Sequence, residues 1–171
     1  MLKIHVIKSF FMLWGFFLLI FVSNVNYLES VEKVLNPLDS FKLVDLTSDN
    51  DFSIASLKRD KKLLISFWAS WCSNCKHELK VLLPQLEARK DLNVQVVSIN
   101  IDQDPERAKH FIKKNQIIVP VLKDQQGNFI KELNVVNVPH WAIYCFKDQK
   151  WSLLSHQEGF DLPKVEEQLR L

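Results

Sequence analysis

The sequence predicts an α/β fold: helices layered on a central mixed β-sheet, behind an apolar N-terminal segment. Three observations carry this. Strand-like and helix-like runs alternate from Phe41 to Leu133, the order that builds a layered α/β domain. Trp141–Phe146 and Trp151–Ser155 then flank Lys147–Lys150, which reads as a β-hairpin. Ahead of all this, Phe10–Val22 is thirteen residues without a charge, too apolar on every face for a surface helix.

The 171 residues suffice for one domain with a sizeable core plus a short appendage. A net charge of +2 gives no case for nucleic acid. Three glycines leave no room for a Gly-rich phosphate loop, and three cysteines do not make a disulfide framework.

Lys3, His5 and Lys8 precede the apolar run, and Glu29 and Glu32 follow it. Ile4–Val22 approaches the roughly 20 residues that span a bilayer, with Lys8 able to snorkel. The expected organisation is a cytoplasmic basic N-terminus (1–8), a transmembrane signal-anchor (9–25), a linker (26–36) and a soluble domain (37–171). The charge asymmetry sets that domain outside the cytoplasm, on the periplasmic side of the inner membrane. Cleavage after Ser23 or Ser30 would leave Phe21 or Leu28 where a small residue belongs, so an uncleaved anchor is favoured over a signal peptide. Either form of export reaches an oxidising compartment.

Within the domain, Phe41–Leu46 alternates like a short strand. Phe52–Leu57 reads as a helical turn, and Leu63–Trp68 as a buried strand. From Ser73, Leu79, Leu82, Leu83 and Leu86 recur at helical spacing as far as about Arg89, with Pro84 expected to bend the helix. Asn93–Asn100 is a strand. Asp102-Gln103-Asp104-Pro105 is a helix-start signal, and Pro105–Asn115 is a helix. Ile117–Leu122, interrupted by Pro120, reads as an edge segment. Phe129–Leu133 reads as another short segment, and Leu162–Leu169 as a final helix.

Cys72 and Cys75 stand at the turn from the buried strand to the helix, with two residues between them. A cysteine pair in that setting suits exchange of electrons between sulfurs. Cys72 falls where unpaired N–H groups and the helix dipole favour a thiolate, which makes it the nucleophile. Cys75, one turn along, is the resolving thiol. Glu78 follows three residues later. Partly buried, it could hold or accept a proton; exposed, it is an ordinary helix Glu. Lys76 reads as a solvated residue, Trp68 as core, and Cys145 as a small buried thiol.

Phe67–Lys76 (FWASWCSNCK) and Val135–Tyr144 (VVNVPHWAIY), about 65 residues apart, resemble the active-site segment and the cis-proline loop of the thioredoxin superfamily. The resemblance is nearest to its membrane-anchored TlpA/ResA-like branch and spans about Pro37 to Leu169. It implies a thioredoxin-like three-layer sandwich and a cis Val138–Pro139 bond facing the cysteines. It also implies that Trp71, Val138, Pro139 and His140 meet the substrate, with Trp71 as an apolar rim. For His140, contact with substrate or thiolate competes with an exposed loop position. Asn74 stands where a proline is common, His140 where Thr is usual, and Lys80 where a kink proline often lies. Ser66 takes the place of the buried Asp of cytoplasmic thioredoxins. Glu78 matches an acidic residue typical of the ResA-like branch.

The function expected is a protein-disulfide reductase working through the Cys72–Cys75 redox-active disulfide, with no other cofactor and no metal. Its substrates would be disulfide-bearing exported proteins, apocytochrome c among them. Its electrons would come from a membrane thiol protein, and the chain itself would be a monomer. Net oxidation or isomerisation by the same pair is the alternative. A redox-inert metal-binding module is a second alternative, weakened because a structural zinc site usually takes four ligands.

Overall fold

A computed structural model describes residues 37–171. The anchor and linker expected before Pro37 lie outside the described residues. No helix among the described residues is long and apolar enough to cross a membrane.

The elements run α1 (Pro37–Ser40), β1 (Leu43–Asp45), β2 (Asp51–Phe52), a 3-10 turn (Ile54–Ser56) and β3 (Lys62–Trp68). Then come α2 (Ser73–His77), a π-helical turn (Glu78–Leu82), α3 (Leu83–Ala88), β4 (Val94–Asn100) and α4 (Pro105–Asn115). The chain closes with β5 (Val121–Asp124), α5 (Asn128–Glu132), β6 (His140–Lys147), β7 (Lys150–Glu158) and α6 (Leu162–Arg170). The strands form one seven-stranded sheet in the order β2-β1-β5-β4-β3-β6-β7. β3 and β5 run parallel to β4, whereas β6 runs antiparallel to β3. The sheet is therefore mixed, as expected.

Alternation along the strands divides the core between the two faces of the sheet. Leu64 and Trp68 of β3 pack with Leu79, Leu83 and Leu86 of the π turn and α3, with Ala108 and Ile112 of α4, and with Val165 and Leu169 of α6. Leu63, Ile65 and Phe67 pack with Leu38 of α1, Ile54 of the 3-10 turn and Phe129 of α5. Every residue of β4 is buried, which fits a central strand covered on both faces. Residues Pro37–Leu171 form a single compact unit.

Three expectations need correction. The sequence places Ile117–Leu122 at an edge, but β5 lies inside the sheet between β1 and β4. Pro120 precedes the strand, so its missing N–H costs no ladder bond. Its carbonyl accepts from both the backbone N–H (2.8 Å) and the hydroxyl (3.0 Å) of Ser98. Phe129–Glu132 falls in the helix α5, and Leu133 is its C-cap. Asp124 accepts from the Phe129 and Ile130 N–H groups at 2.8 and 3.3 Å, and Gly127 takes a left-handed φ of +66° ahead of it. Cys145 is half-buried rather than enclosed. Pro84 sits in the first turn of α3, where its missing donor is tolerated. The helical ladder changes just before it, in the π turn.

The β6–β7 hairpin turns on Asp148 and Gln149, at φ +53° and +63°. Two successive positive φ values are the signature of the turn whose twist matches the strands.

Candidate active site

β3 carries the chain to Trp68, a fully buried side chain. The backbone then reverses, and the Cys72 N–H donates to the Ala69 carbonyl at 3.1 Å. Cys72 has extended backbone angles, φ −84° and ψ 110°, and is the N-cap of α2. Its sulfur accepts the Cys75 N–H at 3.1 Å, filling one of the donors that a helix start leaves open. Cys72 and Cys75 form a disulfide, S–S 2.02 Å.

The two sulfurs are not equivalent. Cys72 keeps 8% of its surface exposed and Cys75 none. An incoming sulfur therefore reaches Cys72. Beside it, Trp71 is 62% exposed, an apolar surface at the lip of the site.

Val138–Pro139, a cis peptide bond, lies across from the pair, and the Val138 carbonyl oxygen is 3.8 Å from Cys72 Sγ. The loop is fixed to the end of β7 twice. The Gly159 N–H donates to the Pro139 carbonyl at 2.8 Å, and Asn137 Nδ2 donates to both Glu158 carboxyl oxygens at 3.0 Å. Val138 packs against both cores. An extended peptide reacting at Cys72 would meet a rigid backbone here, the setting for strand-like pairing.

Glu78 turns inward. It is 2% exposed, in the π turn three residues beyond Cys75. Ser66 of β3 donates its hydroxyl to Glu78 Oε1, while Oε2 is buried without a hydrogen-bond partner. Burial pushes the carboxyl up to about 8 from its ordinary 4.5, against the pull of the Ser66 hydrogen bond. A surface cavity of 360 Å³ lined by Glu78, Asn74, His77 and Pro139 lies against this residue. Of the two readings of Glu78, the buried one holds.

His140 is not an exposed loop residue. It opens β6, 5% exposed, edge-on to Phe67. One ring nitrogen lies 3.2 Å from Nδ1 of His156 across the hairpin. Burial, reinforced by His156 and opposed by Glu158, holds its pKa below the usual histidine range. Lys76 and His77 are exposed on α2.

Asp102, just past β4, reads from sequence only as part of a helix-start signal. It is buried, and its side-chain oxygens accept from the Ser70 N–H (2.8 Å), the Ser70 hydroxyl (3.1 Å) and Asn100 Nδ2 (2.8 Å). The Trp68 carbonyl accepts from the Ile101 N–H at 2.9 Å. Together these clamp the turn that presents Trp71 and Cys72. An Asp so close behind the end of a buried strand was the available signal. Among the described residues, no cluster of three or more His, Cys, Asp and Glu side chains is placed to hold a metal ion.

Residues 34–153 match the family described as AhpC/TSA. The chain belongs to the AhpC/TSA family. Among the relatives of this member, sporulation thiol-disulfide oxidoreductase A of Bacillus subtilis is 29% identical over 100 residues, covering 57% of this chain and 59% of the relative. Thiol-disulfide oxidoreductase ResA of Bacillus thuringiensis is 26% identical over 81 residues, covering 47% of each chain. The chain thus spans about half to three-fifths of the length of these relatives. Of the solved structures, StoA from Bacillus subtilis matches with a TM-score of 0.58 at 23% identity, over 77% of this chain and 97% of that one. A thiol:disulfide interchange protein DsbE from Chlorobium tepidum matches with a TM-score of 0.64 at 23% identity, over 79% of this chain and 94% of that one. The fold is thioredoxin-like.

Proposed function

We propose that this AhpC/TSA family member is a thiol-disulfide oxidoreductase that reduces disulfides of exported proteins, apocytochrome c among the candidates. The observation that carries the reading is the asymmetric pair: Cys72 at the surface as helix cap, Cys75 sealed behind it, and the Val138 carbonyl alongside.

In the reduced protein the Cys72 thiolate attacks one sulfur of the substrate disulfide. A Cys72–substrate bond forms, and the other substrate sulfur leaves as a thiolate that takes up a proton. Cys75 then loses its proton and attacks Cys72 Sγ, closing the Cys72–Cys75 bond and releasing the second substrate thiolate. Two electrons pass from the protein to the substrate. Glu78 lies on the helix one turn beyond Cys75 and takes up the Cys75 proton in the second step. A dithiol donor held at the membrane restores the reduced pair. Export past the inner membrane on the segment 9–25 supplies both the oxidised substrates and that donor, and no cofactor beyond the disulfide is needed.

Insulin reduction with a dithiol donor tests the reading. Cys72→Ser is expected to lose all activity. Cys75→Ser is expected to accumulate a mixed disulfide with its substrate, detectable on a non-reducing gel. Full activity in Cys72→Ser would remove the assignment. The equilibrium with glutathione fixes the direction: a reductase requires a pair clearly more reducing than that buffer.

A further inference from the structure

His140 and His156 take no part in the exchange steps above, yet they stand at the root of the loop that carries Val138 and Pro139. In the β6–β7 ladder His140 is opposite Glu158, and Ala142 is opposite His156. Directly opposed residues, and residues two apart on a strand, share a face of the sheet. His140, His156 and Glu158 therefore lie on one face, with the two histidines as diagonal neighbours. Their rings stack, centroids 5.4 Å and planes 29° apart, and His140 Nε2 meets His156 Nδ1 at 3.2 Å. His140 is buried edge-on to Phe67 of β3, whereas His156 is exposed.

Two imidazoles bond only while one nitrogen brings a hydrogen and the other a lone pair. The neutral pair meets that condition. So does the pair with one ring charged, His156 donating to His140. With both rings charged, two N–H donors and two positive charges face each other. Phe67 approaches His140 from β3, and the titratable groups that bear on it are His156 and Glu158, both from β7. Burial and His156 oppose a proton on His140, and Glu158 favours one. The pair therefore becomes doubly charged only below the usual histidine range.

The end of β7 beyond His156 also carries the two anchors of the loop. Glu158 accepts from Asn137 Nδ2, and the Gly159 N–H donates to the Pro139 carbonyl. His140 itself follows Pro139 directly. Parting the rings moves this strand end away from Asn137 and Pro139, and the Val138 carbonyl loses its fixed place beside Cys72.

We propose that His140 and His156 are positioning residues for the disulfide-bearing partner, a latch that holds the Val138–Pro139 turn ready for peptide pairing until both rings are charged. The inference rests on the exchange reading above and adds release of the partner in acid.

The test uses pre-reduced full-length protein in single turnover between about pH 8 and pH 5. One oxidant is a Ser/Gly peptide with blocked ends and an internal disulfide, which has no titrating group. The other is 2-hydroxyethyl disulfide, too small to pair along the loop. Both react through the same Cys72 thiolate, so the ratio of their rates cancels its titration. In wild type the ratio of peptide to small-molecule rate is expected to hold steady above about pH 7 and to fall about fivefold by pH 5, the order of a modest coupling between a proton and a partner. In His156→Gln, whose amide offers His140 a partner but takes up no proton, the ratio is expected to stay level. Hydrogen exchange at the Gly159 N–H gives a readout independent of the chemistry. Corrected for its intrinsic pH dependence, protection in the oxidised protein is expected to drop about fivefold over the same range in wild type and to hold in His156→Gln. A level ratio in wild type, or an equal fall in His156→Gln, would overturn the latch. Loss of Gly159 protection in acid by a protein that reduces neither disulfide removes the oxidoreductase reading alone, whereas exchange at a level ratio removes the latch alone.

Discussion

Replacing Glu78 by Gln keeps the size of the side chain and one oxygen for the Ser66 hydroxyl, but removes the ionisable group. In the folded protein the carboxyl titrates at about 8 instead of 4.5. The native state therefore binds more protons than the unfolded chain between those values, and stability falls as pH rises through that window. Each pH unit inside it is worth about 1.4 kcal/mol, so ionising Glu78 in place removes about 3 kcal/mol between pH 5 and pH 8. The Glu78→Gln protein has no such slope. It has a cost of its own, because the new amide N–H₂ falls where Oε2 now lies buried and unpartnered. A buried donor left unsatisfied costs about 1–3 kcal/mol.

The two effects oppose each other and cross. At pH 5 wild type is expected to be the more stable by about 1–2 kcal/mol, and at pH 8 Glu78→Gln is expected to be the more stable by a similar margin. Urea unfolding of the oxidised proteins at pH 5, 6, 7 and 8 reads this directly. Every other titrating group is common to both proteins, so the change in their difference isolates position 78. A difference that moves by less than about 0.5 kcal/mol across the range would refute the reasoning, since a carboxyl with an ordinary pKa gives almost no slope above pH 6.

Asp102→Ala is expected to cost about 1–3 kcal/mol, because it strips partners from Ser70 and Asn100 in a buried place. If Asp102 positions the turn, the variant also changes the pH dependence of Cys72 alkylation, which a merely structural loss would leave alone, and Asp102→Asn restores part of both. Gln149→Gly relieves a side chain from φ +63° in the hairpin turn and is expected to raise stability by up to about 1 kcal/mol, read by thermal melting. A melting point unchanged by that substitution would mean that the turn carries no strain.

The parts of the site that could be read from sequence are those whose geometry is local. A strand, a turn and a helix in immediate succession fix Cys72 at the cap and Cys75 one turn in. The same reading reached Trp68 as core. What escaped it depends on contacts between distant segments. Asp102 meets Ser70 across 32 residues, and its sequence context, DQDP, already had a sufficient explanation as a helix start. His140 was ambiguous because its partner, His156, lies on the facing strand of the hairpin. α5 was missed because Asp124 reaches forward five residues to the Phe129 N–H, beyond the ordinary capping distance. Phe129 then fills the space between Phe41, Phe67 and Tyr144. The edge placement of β5 followed from Pro120, whose position just outside the strand is decided by one residue. Glu78 could not be assigned to core or surface from its spacing alone. The π turn and the Ser66 hydroxyl opposite turn it inward.

That burial has a consequence for the proposed exchange. A free thiol has a pKa of about 8.5, so passing its proton to a carboxylate of ordinary pKa is uphill by about 5 kcal/mol. With the Glu78 carboxyl raised to about 8, it accepts a proton from a thiol at a much smaller cost than an ordinary carboxylate does. The match runs in both directions, so the group that accepts the proton when Cys75 attacks can return it when the pair is reduced again. A more exposed Glu at this position would stabilise the fold at neutral pH and lose that match. The ionisation penalty that Glu78→Gln is predicted to relieve is thus the same quantity on which the proposed proton transfer from the sealed sulfur depends. The stability crossover and a slowed second step of exchange should therefore appear together in that variant.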